Sequence, residues 1–259
     1  MTSAAAGGLP GLPGVNTVLW DLDGTLVGIR RRTFAALMPA VAAAMFADIV
    51  APWRFARILA AVLPDVRANT TELTNFDLMV TRIADETGRD PELIGARLSR
   101  LAERGFPRLR RCFYPHRAAG ALVEALAARN LSQVVATNPL WPLSTAHARL
   151  GWGGIDARRF SFIASGSFMR TAKPRLDYYR ELLQILQCQP HECIMIGNDA
   201  TADTPAAELG IPVHLLDDSY PAKTELAASP LVTVGDWAVL AARLGVSPLP
   251  GSDLSSGTV

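Results

Sequence analysis

At the end of a short apolar run, residues 17–20, the chain reads Trp20-Asp21-Leu22-Asp23-Gly24-Thr25-Leu26-Val27. Two carboxylates two residues apart at a strand end point the same way, and the carboxyl ends of parallel strands face the crevice in which open α/β sheets bind ligands. One carboxylate of such a pair can attack phosphorus, while the other protonates the leaving oxygen and later deprotonates water. Gly24 permits a tight turn, and Thr25 offers a hydroxyl to a phosphate. Two acids alone are weak evidence, because aspartates are also common in turns and helix caps.

Five apolar runs predict the strands of a sheet. They span residues 17–20, 133–136, 160–164, 193–196 and 213–216, and each is followed by polar or glycine-containing sequence. Continuous apolar runs are typical of parallel strands that are buried on both faces. Helical patterns occupy residues 118–128, 143–150, 177–187 and 204–209. Strands that alternate with helices predict an α/β fold with a five-stranded parallel sheet covered on both faces.

The long interval between the first two predicted strands predicts a helical insertion. Helical patterns cover residues 33–50, 53–62, 76–87 and 91–103, with prolines and glycines as breaks. We therefore expect a helical domain at residues 29–113, inserted into a core formed by residues 1–28 and 114–246. Its two connections, residues 27–30 and 111–115, must lie near each other because the chain leaves and rejoins the same sheet. The terminal segments 1–14 and 247–259 have the composition of flexible ends.

Composition argues against several classes of protein. The chain is 49% hydrophobic with a formal net charge of +1, so neither a basic nucleic-acid surface nor an acidic disordered chain is indicated. Three cysteines without C-x-x-C spacing predict no disulfide framework and no zinc site. The uncharged run at residues 33–47 is shorter than the roughly 20 residues that cross a bilayer, and the first 16 residues lack the basic start of a secretory signal. We expect a cytoplasmic protein, monomer or homodimer, that binds neither nucleic acid nor membrane.

Polar residues also follow the second and third predicted strands. Thr137 and Asn138 come directly after residues 133–136, where a hydroxyl and neighbouring backbone N–H groups could bind a phosphoryl oxygen. An ordinary helix N-cap is the alternative interpretation. Lys173 precedes the helix at 177–187, where its ammonium could neutralise charge on a transferred group. Exposed lysines are common, but this chain has only two lysines among its 25 basic residues, which gives Lys173 more weight.

An acidic loop, residues 197–203, follows the fourth predicted strand. It contains Asn198, Asp199 and Asp203, whose oxygens would lie across the crevice from Asp21 and Asp23. Carboxylate and amide oxygens are the ligands that Mg²⁺ prefers, with waters and a phosphate completing its octahedron. A single Asn-Asp loop is more often a turn. Polar clusters at the ends of four strands in one crevice instead indicate a binding site.

These four clusters, in this order, resemble the motifs of the haloacid dehalogenase superfamily. The family combines a D-x-D-G-T strand end, a Ser or Thr after the next strand, a Lys or Arg, and an acidic loop. The resemblance implies a Rossmann-like core with a helical cap inserted after the first motif. It also implies a Mg²⁺-dependent phosphatase acting on a small phosphorylated substrate.

The resemblance also implies a role for each residue that matches a family motif. Asp21 would be the nucleophile and a metal ligand, and Asp23 the acid/base, binding metal through its backbone carbonyl. Lys173 would hold the phosphate together with Thr137, while the loop with Asn198, Asp199 and Asp203 would complete the metal site. Many relatives have Gly-Asp where this chain has Gly197-Asn198, so either Asn198 or Asp199 could be the direct ligand.

Other functions of the same fold differ from a phosphatase in the residues that they need. A dehalogenase does not need the second acid Asp23, and a phosphonatase would bring a cap lysine, whereas both lysines lie outside residues 29–113. A hexose-phosphate mutase uses the same two acids, and a non-catalytic binding module is the alternative of a different class. Substrate choice should reside in the cap, where residues 30–32 are three arginines and residues 69–75 form a polar stretch. The arginines could attract an anion or be solvated surface groups, and the polar stretch could cover the site or be a surface loop.

Overall fold

The structure, a computed structural model, describes residues 9–216 and 229–246. Within these residues the central sheet has six parallel strands, in the order β5-β4-β1-β6-β7-β8. Their bounds are β1 Thr17–Trp20, β4 Ser132–Val135, β5 Phe162–Ile163, β6 Cys193–Gly197, β7 Val213–Leu216 and β8 Val232–Gly235. The α/β class is therefore confirmed, with one strand more than predicted. The additional strand β8 is a half-exposed edge strand, so its sequence lacks the continuous apolar run of the buried strands.

Strand β1 lies in the middle of the sheet, between β4 and β6. Its last residue, Trp20, is level with Val135 on one side and Ile196 on the other. The carboxyl ends of the three strands therefore meet at one edge, and the loops that follow them converge there.

Side chains of β1 alternate between two apolar layers, as the pleat of a strand requires. Val18 and Trp20 pack on one face, and Leu19 packs on the other with Tyr178 and Tyr179. The helices of this core are α5 Arg117–Ala127, α6 Leu143–Trp152, α7 Leu176–Leu186, α8 Ala200–Asp203 and α9 Trp237–Arg243. The predicted helix at 204–209 is a 3-10 turn, Thr204–Leu209.

A two-stranded antiparallel ribbon joins the core to the helical insertion. Strand β2, Val27–Ile29, pairs with β3, Phe113–Pro115, so the outgoing and returning chains run side by side as expected. Gly28 lies opposite Tyr114, and a Cβ at Gly28 would meet the tyrosine ring at 2.1 Å. The ribbon thus brings both ends of the insertion to one point beside the carboxyl edge of β1.

The insertion is helical throughout, as its sequence pattern predicts. Its α-helices are α1 Arg31–Met45, α2 Pro52–Arg67, α3 Asn75–Thr87 and α4 Pro91–Arg100. A π-turn, Leu101–Gly105, and a 3-10 stretch, Phe106–Cys112, follow where the sequence predicted only the end of a helix. Capping explains two of the starts, because Thr74 and Asp90 accept hydrogen bonds from backbone N–H groups in the first turns of α3 and α4.

The structure also bears on what the sequence indicated for the amino-terminal segment, the cysteines and membrane-spanning helices. The segment predicted to be flexible, residues 1–14, extends too far, because Leu9 and Leu12 are buried in the core. Residues 1–8 and 247–259 lie outside the described residues. Cys188 and Cys193 have their sulfur atoms 3.3 Å apart as free thiols, a proximity that their spacing did not suggest. Among the described helices, none combines the length and apolarity that a bilayer span requires.

Candidate active site

The turn after β1 brings Asp21 and Asp23 to the carboxyl edge of the sheet. Asp21 extends the pairing of β1, because its N–H donates to the Ile196 carbonyl at 2.8 Å. Gly24 turns the chain with φ of +102°, a conformation that favours glycine. A Cβ at Gly24 would also lie 2.3 Å from the Asn198 amide nitrogen, so a glycine is needed for both reasons.

Lys173 is the buried cation of the site. Its ammonium donates to Asp21 Oδ1 at 3.1 Å and to Asp203 Oδ1 at 2.6 Å, and the residue is 1% exposed. Burial by itself would lower the pKa of Lys173, but the Asp203 and Asp21 carboxylates raise it well above its usual value. The lysine therefore stays charged and holds the Asp21 carboxylate in place.

Asp203 anchors this lysine and does not face the crevice. It is 0% exposed, and its second oxygen accepts from the Asp199 N–H at 3.0 Å. Burial raises the pKa of Asp203 to about 6, although the Lys173 ammonium pulls it down. Gly197 makes room for the carboxylate, since a Cβ there would meet Asp203 Oδ2 at 2.0 Å. The last acid of the loop thus has both oxygens engaged by the protein.

Asp23 is paired with an arginine that sequence reasoning missed. Arg149, on α6, donates from Nη1 to Asp23 Oδ2 in a short hydrogen-bonded ion pair. Burial raises the pKa of Asp23 and so does the neighbouring Asp21 charge, while Arg149 opposes both. The other oxygen, Oδ1, is buried and has no hydrogen-bond partner among the described residues. Arg149 is 126 positions from Asp23 in sequence and belongs to no motif, so no sequence signal linked them.

Thr137 and Asn138 follow β4 and lie next to Asp21 and Lys173 on the wall of the crevice. The Tyr178 hydroxyl donates to the Thr137 carbonyl at 2.9 Å, which fixes this loop to α7. The Asn138 side-chain oxygen is buried without a hydrogen-bond partner in the described part of the chain. These two residues therefore offer hydroxyl and amide groups where a ligand could reach them.

The acidic loop provides two oxygen-bearing side chains to the crevice. Asn198 is buried, and its Oδ1 accepts from the Thr25 hydroxyl at 3.4 Å. Asp199 caps α8, because its Oδ1 accepts from the N–H groups of Thr201 and Ala202. The side chain of Asn198 is thus held against the D-x-D-G-T turn, and one oxygen of Asp199 is engaged by a helix end.

These groups line one cavity of about 530 Å³. All of the predicted site residues line it except Thr25, whose hydroxyl faces Asn198 from within the core, and Asp203. Apart from Arg31, the sequence did not identify the rest of the wall, which includes Ile29, Phe34, Arg67, Phe106, Trp141 and Arg149. Arg31 alone of the three arginines at 30–32 reaches this wall, and it donates to the Asp23 backbone carbonyl at 3.2 Å.

The polar stretch at residues 69–75 contacts the core and is not part of the wall of this cavity. Asn75 is fully buried, and its amide donates to the carbonyls of Pro139 and Thr171 at 3.1 and 2.9 Å. Its oxygen accepts from Asn69 at 3.1 Å. One insertion residue thus connects the loop after Thr137-Asn138 with the segment that leads into Lys173.

Two strand-end carboxylates at the edge of a parallel sheet, Asp21 held by a buried lysine and Asp23 by a buried arginine, define an α/β enzyme of the Rossmann-like class. The family model described as haloacid dehalogenase-like hydrolase matches residues 15–210. The chain therefore belongs to the haloacid dehalogenase-like hydrolase family, and its second aspartate and its relatives place it in the phosphatase branch.

Similar proteins agree with this assignment. A phosphoglycolate phosphatase of Rhodospirillum rubrum is 28% identical over 241 residues, covering 93% of this chain and 95% of that protein. The crystal structure of CbbY from Rhodobacter sphaeroides in complex with phosphate has a TM-score of 0.55 at 19% identity, covering 89% of this chain and 99% of that one. A HAD phosphatase from Thermococcus onnurineus has a TM-score of 0.56 at 13% identity, covering 90% and 98%. At these identities the two structures are evidence for the fold.

Proposed function

We propose that this chain is a Mg²⁺-dependent phosphomonoester hydrolase that acts through an aspartyl-phosphate on Asp21. The observation that carries the proposal is the contact between Asp21 and the buried Lys173 at the wall of the cavity. A carboxylate that is oriented by a fixed cation, beside a second carboxylate, suits nucleophilic attack on phosphorus. We place the enzyme in the cytoplasm, as a monomer or homodimer.

The two aspartates divide the chemistry between them. In the first step an Asp21 oxygen bonds to phosphorus, the bond to the leaving oxygen breaks, and the proton of the Asp23 carboxyl passes to that oxygen. In the second step Asp23 takes a proton from water as the water oxygen bonds to phosphorus and the Asp21–phosphorus bond breaks. Burial raises the pKa of Asp23, which favours the protonated form that the first step needs.

The oxygen groups of the site fit Mg²⁺. Mg²⁺ is usually held by one or two carboxylates and several waters. In the described part of the chain, no three His, Cys, Asp or Glu side chains cluster into a metal site of their own. The proposed ligands are the Asp21 carboxylate, the Asp23 carbonyl and one oxygen of the loop that follows β6. Bound Mg²⁺ would supply positive charge to the phosphoryl oxygens.

We assign the loop ligand to Asn198, in preference to Asp199. Asn198 lies against the turn that carries Asp23. Its side-chain oxygen accepts a hydrogen bond from Thr25, but an amide oxygen has two lone pairs, so this bond is compatible with a metal ligand. Asp199 instead caps α8 through one of its oxygens. The Mg²⁺ concentration for half-maximal activity tests the assignment. Asn198→Asp should lower it by adding a charged ligand, and Asp199→Asn should change it little. A large effect of Asp199→Asn together with none of Asn198→Asp would reverse the assignment.

The cavity supports a small anionic substrate. Thr137, Asn138 and Lys173 would surround the phosphoryl group, while Arg31 and Arg67 from the insertion add positive charge to the same cavity. A phosphomonoester that carries a second anionic group fits this distribution of charge. Phosphoglycolate is the first compound to test, because it is the substrate in the name of the R. rubrum relative.

The experiment is release of inorganic phosphate from a panel of phosphorylated metabolites, with Mg²⁺ and with EDTA. Asp21→Asn should abolish release, whereas Asp156→Asn, an aspartate outside the cavity, should leave it unchanged. Mass spectrometry of acid-quenched protein should detect one added phosphoryl group in the wild type and none in Asp21→Asn. Sustained release by Asp21→Asn would refute the nucleophile. If well-folded protein releases no phosphate from any compound of the panel, a phosphomutase or a binding module is favoured.

A further inference from the structure

Arg149 occupies a position that the reaction proposed above does not explain. It is 7% exposed, lies on a core helix, and borders the same cavity as the two aspartates. A buried arginine is costly unless its donors are satisfied. The location of each donor therefore indicates what the side chain does.

The guanidinium is held from several sides. Its Nε donates to the Thr145 carbonyl at 3.0 Å, and its Nη2 approaches the Thr145 hydroxyl at 3.4 Å. Its central carbon lies 5.7 Å from the centroid of the Phe106 ring. With these contacts in place, Nη1 is directed at a single oxygen, Asp23 Oδ2.

This contact separates the two oxygens of Asp23. Oδ2 is engaged by Arg149, while Oδ1 has no hydrogen-bond partner within residues 9–216 and 229–246. A carboxyl group that is held through one oxygen cannot rotate freely, so Arg149 fixes the orientation of Asp23 at the cavity. Both partners belong to the core, since α6 and the turn after β1 lie outside the insertion.

We propose that Arg149 is a positioning residue that holds the Asp23 carboxyl in the orientation from which it gives a proton to the leaving oxygen and accepts one from water. The inference rests on the proposed phosphatase function and deepens it. Arg149 itself exchanges no proton and forms no bond to phosphorus. Its effect should therefore depend on how much the leaving group needs an acid.

The test compares two substrates in the first step alone. An alkyl phosphate needs protonation of its leaving oxygen, whereas p-nitrophenyl phosphate releases a stable anion without it. Rapid-quench measurements of alcohol or nitrophenol release in a single turnover report this step. Arg149→Met should slow the alkyl ester about 100-fold, in the range that acid catalysis contributes, and the aryl ester at least ten times less. KM should change little, and Arg149→Lys should recover part of the rate.

A double variant distinguishes positioning from a separate role. In an Asp23→Asn background, Arg149→Met should slow the first step no more than about 2-fold, because residues that act as a unit are not additive. Arg97→Met is the control, since it removes another arginine–aspartate pair, with Asp48, outside the cavity. It should leave both esters unaffected.

Three outcomes with the Arg149 variants would overturn the inference. Equal slowing of both esters would mean that Arg149 serves binding or folding, and further slowing in the Asp23→Asn background would mean that it acts independently. Faster turnover in Arg149→Met would mean that the arginine restrains Asp23. Activity that persists in Asp21→Asn refutes the proposed function and this inference with it. Equal slowing with normal dependence on Asp21 refutes the inference alone.

Discussion

Replacing Lys173 with methionine should destabilise the fold in a way that depends on pH. The lysine is buried and contacts two carboxylates, of which Asp203 is 0% exposed. Removing one partner of a buried ion pair costs about 3–5 kcal/mol, because the other charge is left without compensation. We expect a loss of this size at pH 8, together with loss of phosphatase activity.

The pH dependence follows from Asp203. Burial already raises its pKa to about 6, from an ordinary value of 3.8, while Lys173 is present. A carboxyl group whose pKa is raised on folding contributes stability below 3.8 that is lost as the pH rises through the folded-state pKa. Without the lysine this pKa should rise further, so Asp203 can remain neutral at pH 5 or 6. The difference in unfolding free energy between wild type and Lys173→Met should therefore be smallest at pH 5 and largest at pH 8, rising by up to about 3 kcal/mol.

Urea denaturation followed by circular dichroism, at four pH values from 5 to 8 in EDTA, measures this difference. The double variant Lys173→Met/Asp203→Asn should recover most of the lost stability at pH 8, because no buried carboxylate is left without a partner. Asp203→Asn alone serves as the reference for the double-mutant cycle. A loss that is constant across the pH range, or that persists in the double variant, would refute the reasoning from Asp203.

Two other predictions concern buried polar side chains. Asn75→Ala removes the donor to the Pro139 and Thr171 carbonyls, so it should lower the unfolding free energy by about 1–3 kcal/mol in urea denaturation. It should also raise KM, because the insertion is held less firmly to the core. Unchanged stability and KM would contradict this prediction. Burial lowers the pKa of His214 to about 4, below its ordinary value of 6.5, so its contribution to stability is complete above pH 6.5 and falls toward pH 4. The unfolding free energy of His214→Gln, measured by urea denaturation, should lack this part of the dependence on acid pH, which amounts to at most about 3 kcal/mol. Plots of unfolding free energy against pH that run parallel for wild type and variant would contradict the prediction.

The sequence predicted those features whose pattern lies within one continuous segment of the chain. The parallel strands were visible as continuous apolar runs, because both faces of the sheet are covered. Three of the four polar clusters were visible because each follows a strand directly, and the shared direction of the strands brings their ends to one edge. Lys173 was visible because it is one of only two lysines in the chain. The helical insertion was visible because more than a hundred residues separate the first two predicted strands and most of the apolar patterns between them are helical.

The sequence was less informative where an element is short or half-exposed. Strand β8 escaped prediction because an edge strand need not be apolar on both faces. The π-turn and 3-10 stretch at the end of the insertion read as ordinary helix and loop, because their residues have no distinct periodicity.

Only the tertiary structure decided which distant side chains meet. Arg149 reaches Asp23 across 126 positions, and Lys173 selects Asp203 as its buried partner across 30. Asn75, the first residue of α3, donates to two core carbonyls, although the polar stretch that it ends could equally have been a surface loop. The physical reason is that a local pattern reports the secondary structure and burial of its own segment. The partner of a buried charge is determined by which segments the packed sheet and helices bring within hydrogen-bond distance.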